Sequence, residues 1–446
     1  MKKPLFTLLA IVVSIQSFAI NISGYINQNT TWTKANSPYI ITGYTLIDSN
    51  ATLTIEPGTV IKFDEYKLLY VDGMLNMKGT ATDNIFVTTN AKYPRAVTSG
   101  FVVRNNKSTD TLRFEYCHFK YVGGGVSVEH MASIVTNCLF EYCGTGIYNG
   151  KDPRSYTHVS NCRFNYCETA MFSDGPTVFT NNVVTKCKSY GLIVNTWNVN
   201  NTCTNNVFYN SQKAITKCTH VSNNVVSYNK NYGISLCNYV SNNQIWNNGY
   251  GIMNDWTAPV DLYQNSIEYN QTGIWGVDST HSIHSNCIAH NNVNMDRLRV
   301  IVNVSGNYWG ETDSAKIAAT INDYWDNFVG GEAKFMPFLQ ASDGSCASSL
   351  TIPDTTVYFP TGIDNVAQES GLKIFPNPAF NTLTIQSGNN NIKDICIYNL
   401  TGYTVIHQSA NQHEVKMDIS SLRGGIYLYK ISAGEDEIYT GKLLKE

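Results

Sequence analysis

Charge is scarce in this 446-residue chain: Asp, Glu, Lys and Arg together make up only 15% of it. The formal net charge is −3, and no run of lysine or arginine breaks the sequence. That balance excludes nucleic acid as a partner, because no basic footprint exists to meet phosphates. Past the first 19 residues no apolar run is long enough to cross a bilayer, so no transmembrane segment is expected. The central part of the chain carries no apolar stripe at the 3.6-residue spacing of a helix. Cys-x-x-Cys is also missing, which removes the commonest zinc and redox spacings, and no metal ligand is expected.

What fills the chain instead is a repeat. An Asn or Cys, any residue, an apolar residue and two polar or aromatic residues precede a second Asn or Cys. The first position falls at Cys117, Cys138, Cys162, Asn182, Asn206, Asn224, Asn243, Asn265, Asn286 and Asn307. The intervals run from 18 to 24 residues and centre near 21, the signature of a solenoid whose coils bury their apolar faces only by stacking. Two residues on, every position from Phe119 to Trp309 is apolar. Five residues on stand Cys143, Cys167, Cys187, Ser211, Asn229, Asn248, Asn270 and Asn291, followed by pairs such as Gly146-Ile147 and Gly251-Ile252. Inward apolar positions alternate with varied outward ones, which is the period of strands. Stacked at ~4.8 Å, ten such coils span ~45–50 Å.

The pattern resembles the right-handed parallel β-helix family, the architecture of pectate lyases and their many non-lyase relatives. The expected fold is all-β: a solenoid of about 12 coils with a small β-sandwich behind it. The polar columns read as structure. Inward asparagines at a corner can bond amide to amide from coil to coil, so Cys138, Cys162, Asn182, Asn206, Asn224, Asn243, Asn265 and Asn286 form an expected ladder. Cysteine takes the same place as a small buried hydrophobe. Most of the 12 cysteines are therefore expected as buried thiols, although Cys346 and Cys396 fit neither column. The outward column Tyr121, Tyr142, Tyr166, Tyr228 and Tyr269, beside Trp246, reads as ring stacking between coils, with an aromatic track for a glycan as the alternative.

Taken in order, residues 1–19 combine Lys2 and Lys3, an apolar run and Ser17-Phe18-Ala19, the marks of a secretory signal. Residues 20–100 should hold an N-terminal cap, placed at Asn21 to Tyr44, and the first coils. Coils continue over 101–310. A C-terminal cap follows over 311–340, with one short amphipathic helix from Asp313 to Asp326 whose Tyr324 and Trp325 close the open end. Residues 341–371 read as a linker. Residues 372–446 contain Pro376-Asn377-Pro378, Leu422-Arg423-Gly424-Gly425-Ile426-Tyr427 and a basic end. These closely resemble the type A C-terminal sorting domain of the type IX secretion system of Bacteroidota. The resemblance implies an outer-membrane translocation signal handled by that machinery through 372–446 and normally removed as the protein is released or anchored on the outer-membrane surface; a monomer is expected.

Sites on solenoids sit where loops lengthen on one side. Three long returns, 149–158, 195–202 and 254–261, bracket a depression left by shorter ones at 216–221 and 235–240. Carboxylates beside indoles suit a sugar groove, the ring stacking on apolar sugar faces and the acids bonding hydroxyls. Asp174, Asn195, Trp197, Trp256 and Arg154 are the candidate contacts to an extracellular polysaccharide. Asp255 and Asp278, one coil apart, are the candidate catalytic pair, since hydrolysis needs two carboxylates ~5–9.5 Å apart. The competing account is that Asp and Asn populate turns because turns need them. No cofactor is expected; calcium would enter only with a lyase mechanism. The Asn-Thr-Asp, Asp-Asp, Gly-His-Gly and Arg-Ile-Lys phrases of polygalacturonases are absent, as is the calcium and arginine motif of pectate lyases. Binding is therefore favoured over a lyase or hydrolase acting on an acidic glycan. A structural or adhesion rod with a protein partner is the third reading.

Overall fold

The computed structural model describes residues 19–91, 97–104, 110–152, 154–195, 200–254, 260–328, 330–346, 372–388, 390–399, 404–433 and 437–445. The expected secretory signal, apart from Ala19, lies outside the described residues, as do most of the linker positions. Two compact units divide the chain, Met1–Gly362 and Ile363–Glu446.

One coil shows how the sequence makes the first unit. His220–Ser222, Val225–Ser227 and Tyr232–Ser235 are three short strands on three faces. The chain turns between them at Asn223 and Tyr228, whose φ values of 58° and 57° are left-handed. Each left-handed residue is followed by a ladder residue, Asn224 or Asn229, whose side chain turns inward. The same corner recurs at Asn137, Asn161, Asn181, Asn205 and Asn242, and at Tyr142, Tyr166, Lys186, Asn247 and Tyr269. Asparagine tolerates this conformation better than most residues. Tyrosine does not, and it is held there by its neighbours: Tyr121, Tyr142 and Tyr166 stack at 5.1 and 5.0 Å.

The first face is a 12-stranded parallel sheet, while the second and third join in a 24-stranded sheet. Register is kept by the inward column, where Phe119, Phe140 and Phe164 stack at 4.8 Å per step. Burying each such ring is worth ~1.5–3 kcal/mol. The small residue of each Gly-aliphatic pair is required by space. A Cβ on Gly191 would lie 2.7 Å from both the Ala214 carbonyl oxygen and the Phe208 ring.

Polar satisfaction inside the solenoid runs along two ladders. Asn206, Asn224, Asn243 and Asn265 each donate Nδ2 to the Oδ1 of the next ladder asparagine at 2.9–3.0 Å, ending on Asn286. Asn182 donates to Asn206 at 3.1 Å, and Asn286 passes the pattern to Asn307 at 3.0 Å. In the second ladder Asn229, Asn248 and Asn270 do the same, ending on Asn291. Sulfur stands in at the other end: the Cys117 amide donates to Cys138 Sγ at 3.4 Å. Burial pushes the Cys117, Cys143 and Cys162 thiols well up, and the Cys237 thiol up to about 12.

Two expectations are corrected. Asn21 to Tyr44 is no separate cap: Ile20–Ile26 pairs in parallel with Tyr39–Ile47, so it is already a coil. Its alternating apolar residues feed the core, where Trp32 stacks on Tyr39 at 4.7 Å. At the other end two helices form, Ser314–Ala318 and Tyr324–Asn327, because Asp323 and Asp326 make a reciprocal capping box that starts the second one afresh. Ile317 and Ile321 are buried, but Trp325 is 67% exposed and closes nothing. Most of the cysteines are buried thiols as expected, nine of the twelve, while Cys287 and Cys346 form a disulfide. Cys287 neighbours Ser266 beside the inward pair Ile267 and Ile288, and therefore points out of the coil.

The second unit packs two antiparallel sheets around one core. Leu372–Phe375, Thr382–Ser387 and Glu414–Asp418 form one sheet. Ile392–Tyr398, Thr404–Gln412, Gly425–Ala433 and Glu437–Lys445 form the other. Leu383 and Ile385 of the first sheet meet Ile395, Ile397 and Ile431 of the second.

A recess on the twelve-stranded face as candidate functional site

On the 12-stranded face the middle residue of each short strand points inward, as Val221, Val240, Leu262 and Ile283 do. Its two neighbours therefore point out. One outward column runs His220, Tyr239, Asp261 and Ser282 in direct register. The parallel column runs Ser222, Ser241, Tyr263 and His284. Rings stack along both: His220 on Tyr239 at 4.7 Å, and Tyr263 on His284 at 5.9 Å.

Between Tyr239 and Ser282 the face opens into a recess of about 210 Å³, lined by Asn238, Tyr239, Val260, Asp261, Thr280 and Ser282. Tyr239 is 49% exposed, so one side of its ring is available. Asp261 Oδ1 is buried with no hydrogen-bond partner, and His284 Nε2 lies 3.7 Å from it. A buried carboxylate oxygen without a donor is costly. The Asp261 side chain as a whole is 36% exposed and lines the recess, so its carboxylate can accept a hydroxyl there. A half-exposed ring beside an acid can hold one sugar unit.

The recess lies beside the third long return, yet its polar residues are not those singled out from the sequence. Asp255 and Trp256, like Trp197, lie outside the described residues. Asp278 forms the turn that leads into Thr280: its Oδ1 accepts from the Thr280 amide at 2.8 Å and hydroxyl at 2.6 Å. Burial works against its ionisation, but the Thr280 donors, with His281 and Arg299 nearby, hold its carboxyl below the usual range. Asp174 accepts from the Tyr148 hydroxyl at 3.2 Å. Arg154 Nη2 meets Asp152 Oδ2 at 2.6 Å, an ion pair local to its own loop. The Asn195 amide donates to the Ser173 carbonyl at 2.8 Å. The register places Asp174 and Asp278 about five coils, hence ~24 Å, apart, so those two do not share a site. Tyr239 and Asp261 were missed because each looks unremarkable in its own repeat; the signal lay in their shared position three residues before Asn242 and Gln264.

Comparison with known proteins agrees with the architecture. Residues 99–245 match the right handed beta helix region family, and residues 373–446 match the secretion system C-terminal sorting domain. The chain is a right-handed parallel β-helix protein carrying that sorting domain. The domain marks it for type IX export to the cell surface or the extracellular space. No helix among the described residues is long and apolar enough to cross a membrane. Among curated proteins it is similar to Beta-agarase D of Zobellia galactanivorans, 24% identical over 150 residues, which cover 33% of this chain and 30% of that protein. The chain thus spans under a third of that relative's length. Among solved structures, a mutant of the periplasmic alginate epimerase AlgG aligns at 13% identity and a TM-score of 0.36, covering 72% of this chain and 85% of that one. The unmutated AlgG aligns at 14% and 0.29, covering 68% and 76%.

Proposed function

We propose that this exported β-helix binds an extended extracellular polysaccharide across its 12-stranded face, with one sugar unit seated at Tyr239 and Asp261. The observation that carries the reading is the partly exposed Asp261 carboxylate lining one recess with a ring that is 49% exposed. The ring offers an apolar platform and the acid takes a hydroxyl, the usual division of labour in a carbohydrate site. A relative named as an agarase lends the carbohydrate class, though over a limited segment. Agarose and other neutral galactans are accordingly the first ligands to try, followed by alginate and pectate. The test is affinity electrophoresis of the mature chain in gels containing each glycan, with new reducing ends and unsaturated products assayed in parallel. Retardation that Tyr239→Ala weakens about ten-fold or more, without bond cleavage, supports binding. Cleavage would instead make the protein an enzyme, and retardation unchanged in the variant would move the site elsewhere.

A further inference from the structure

The sorting domain holds a group of side chains that neither the sandwich core nor export explains. Asp394 and Cys396 stand at i and i+2 on the strand Ile392–Tyr398, so both emerge on the face opposite the buried Ile395 and Ile397. The neighbouring antiparallel strand sets His407 directly across from Cys396, and Ser409 across from Asp394. The three chemistry-bearing groups converge. His407 Nε2 lies 2.7 Å from Asp394 Oδ1, and Cys396 Sγ lies 3.6 Å from Asp394 Oδ2. One ligand atom from each of the three falls within 4.8 Å of the other two.

We infer that Asp394, Cys396 and His407 form a binding site for a borderline-soft divalent ion of the zinc type. The donor set is one thiolate, one imidazole and one carboxylate, which together favour zinc over calcium or magnesium. Tetrahedral bonds of ~2.0–2.3 Å need ligand atoms ~3.3–3.8 Å apart, a small side-chain adjustment from the present spacing. Three protein ligands leave the fourth position to water. The Ser409 hydroxyl, which donates to Asp394 Oδ1 at 3.1 Å, would orient the carboxylate. Binding removes the thiol proton, so affinity rises with pH.

The cysteine inventory makes the site testable in the whole protein. Nine free cysteines are buried in the coils, Cys287 and Cys346 are joined, and Cys396 alone is a partly exposed free thiol. The full chain with residues 373–446 retained, purified without reductant, is titrated with cobalt(II) and then with zinc against a chromophoric chelator. The expected result is one cobalt per chain with a thiolate-to-cobalt absorption band that Cys396→Ser abolishes. His407→Ala should weaken zinc binding about ten-fold or more. All three side chains are at least partly exposed, so these variants should fold, and the domain's circular dichroism checks that they do. Absence of the band, or a band that survives Cys396→Ser, overturns the site.

Discussion

Asn224 donates both its backbone amide and its Nδ2 to a single atom, Oδ1 of Asn243 one coil on, each at 2.9 Å. Asn243 in turn donates Nδ2 to the Val221 and Ser241 carbonyls at 3.0 and 2.9 Å, and to Asn265 Oδ1 at 3.0 Å. Every rung therefore closes the backbone of its own corner and of its neighbour. Asn243→Ala should leave several buried groups unpaired at ~1–3 kcal/mol each, for a loss of about 3–5 kcal/mol. Asn243→Cys should cost roughly half as much, because Cys138 and Cys162 already fill the same place. Urea unfolding of the three proteins checks the order; equal stability of Asn243→Ala and wild type would show that the ladder is decorative.

Thiol chemistry should follow burial. Ellman's reagent added to the native, oxidised protein is expected to modify one cysteine, Cys396, while the nine buried thiols react only after denaturation. Their burial raises the pKa of thiols such as Cys143 and Cys187, which removes the nucleophilic thiolate as well as access. Two or more fast-reacting thiols in the native state would contradict this arrangement.

One contact on the second face should be sensitive to acid. Glu141 Oε2 lies 3.0 Å from His118 Nε2 and 3.7 Å from Lys120 Nζ. Burial raises the Glu141 pKa, but these neighbours outweigh it and hold the group below its ordinary value. A carboxyl depressed on folding stabilises the protein above its unfolded pKa of ~4.3 and loses that contribution as pH falls through the lower folded value. Melting temperatures of wild type and Glu141→Gln should differ at neutral pH and converge as pH falls through the depressed Glu141 value. A constant gap down to pH 2–3 would mean that Glu141 acts through packing alone.

The fold was legible because a solenoid writes the same constraint many times. Phe119, Phe140 and Phe164 announce an inward column, and Asn206 to Asn286 a corner, before any coordinates are known. The sorting domain was legible from Pro376-Asn377-Pro378 and the Gly424-Gly425 turn. What resisted reading was anything that occurs once. The Cys287–Cys346 bridge joins an outward position of one coil to a segment without periodicity, so no column forecast it. Asp323 breaks a helical stretch through a cap rather than a proline. The recess was hidden for the same reason. Tyr239 and Asp261 become neighbours only through the stacking of coils, and the acids that drew notice, Asp174 and Asp278, hydrogen-bond to Tyr148 and Thr280.

The measurement closest to the central claim is affinity electrophoresis of the mature protein and its Tyr239→Ala variant, run with matched thermal melts. The account predicts that at least one polysaccharide retards the wild type, that the variant migrates nearly freely, and that both melt within about 2 °C of each other, since an exposed side chain contributes little to stability. Equal retardation of the two proteins, or no retardation by any neutral or acidic glycan, would contradict a glycan site at Tyr239 and Asp261.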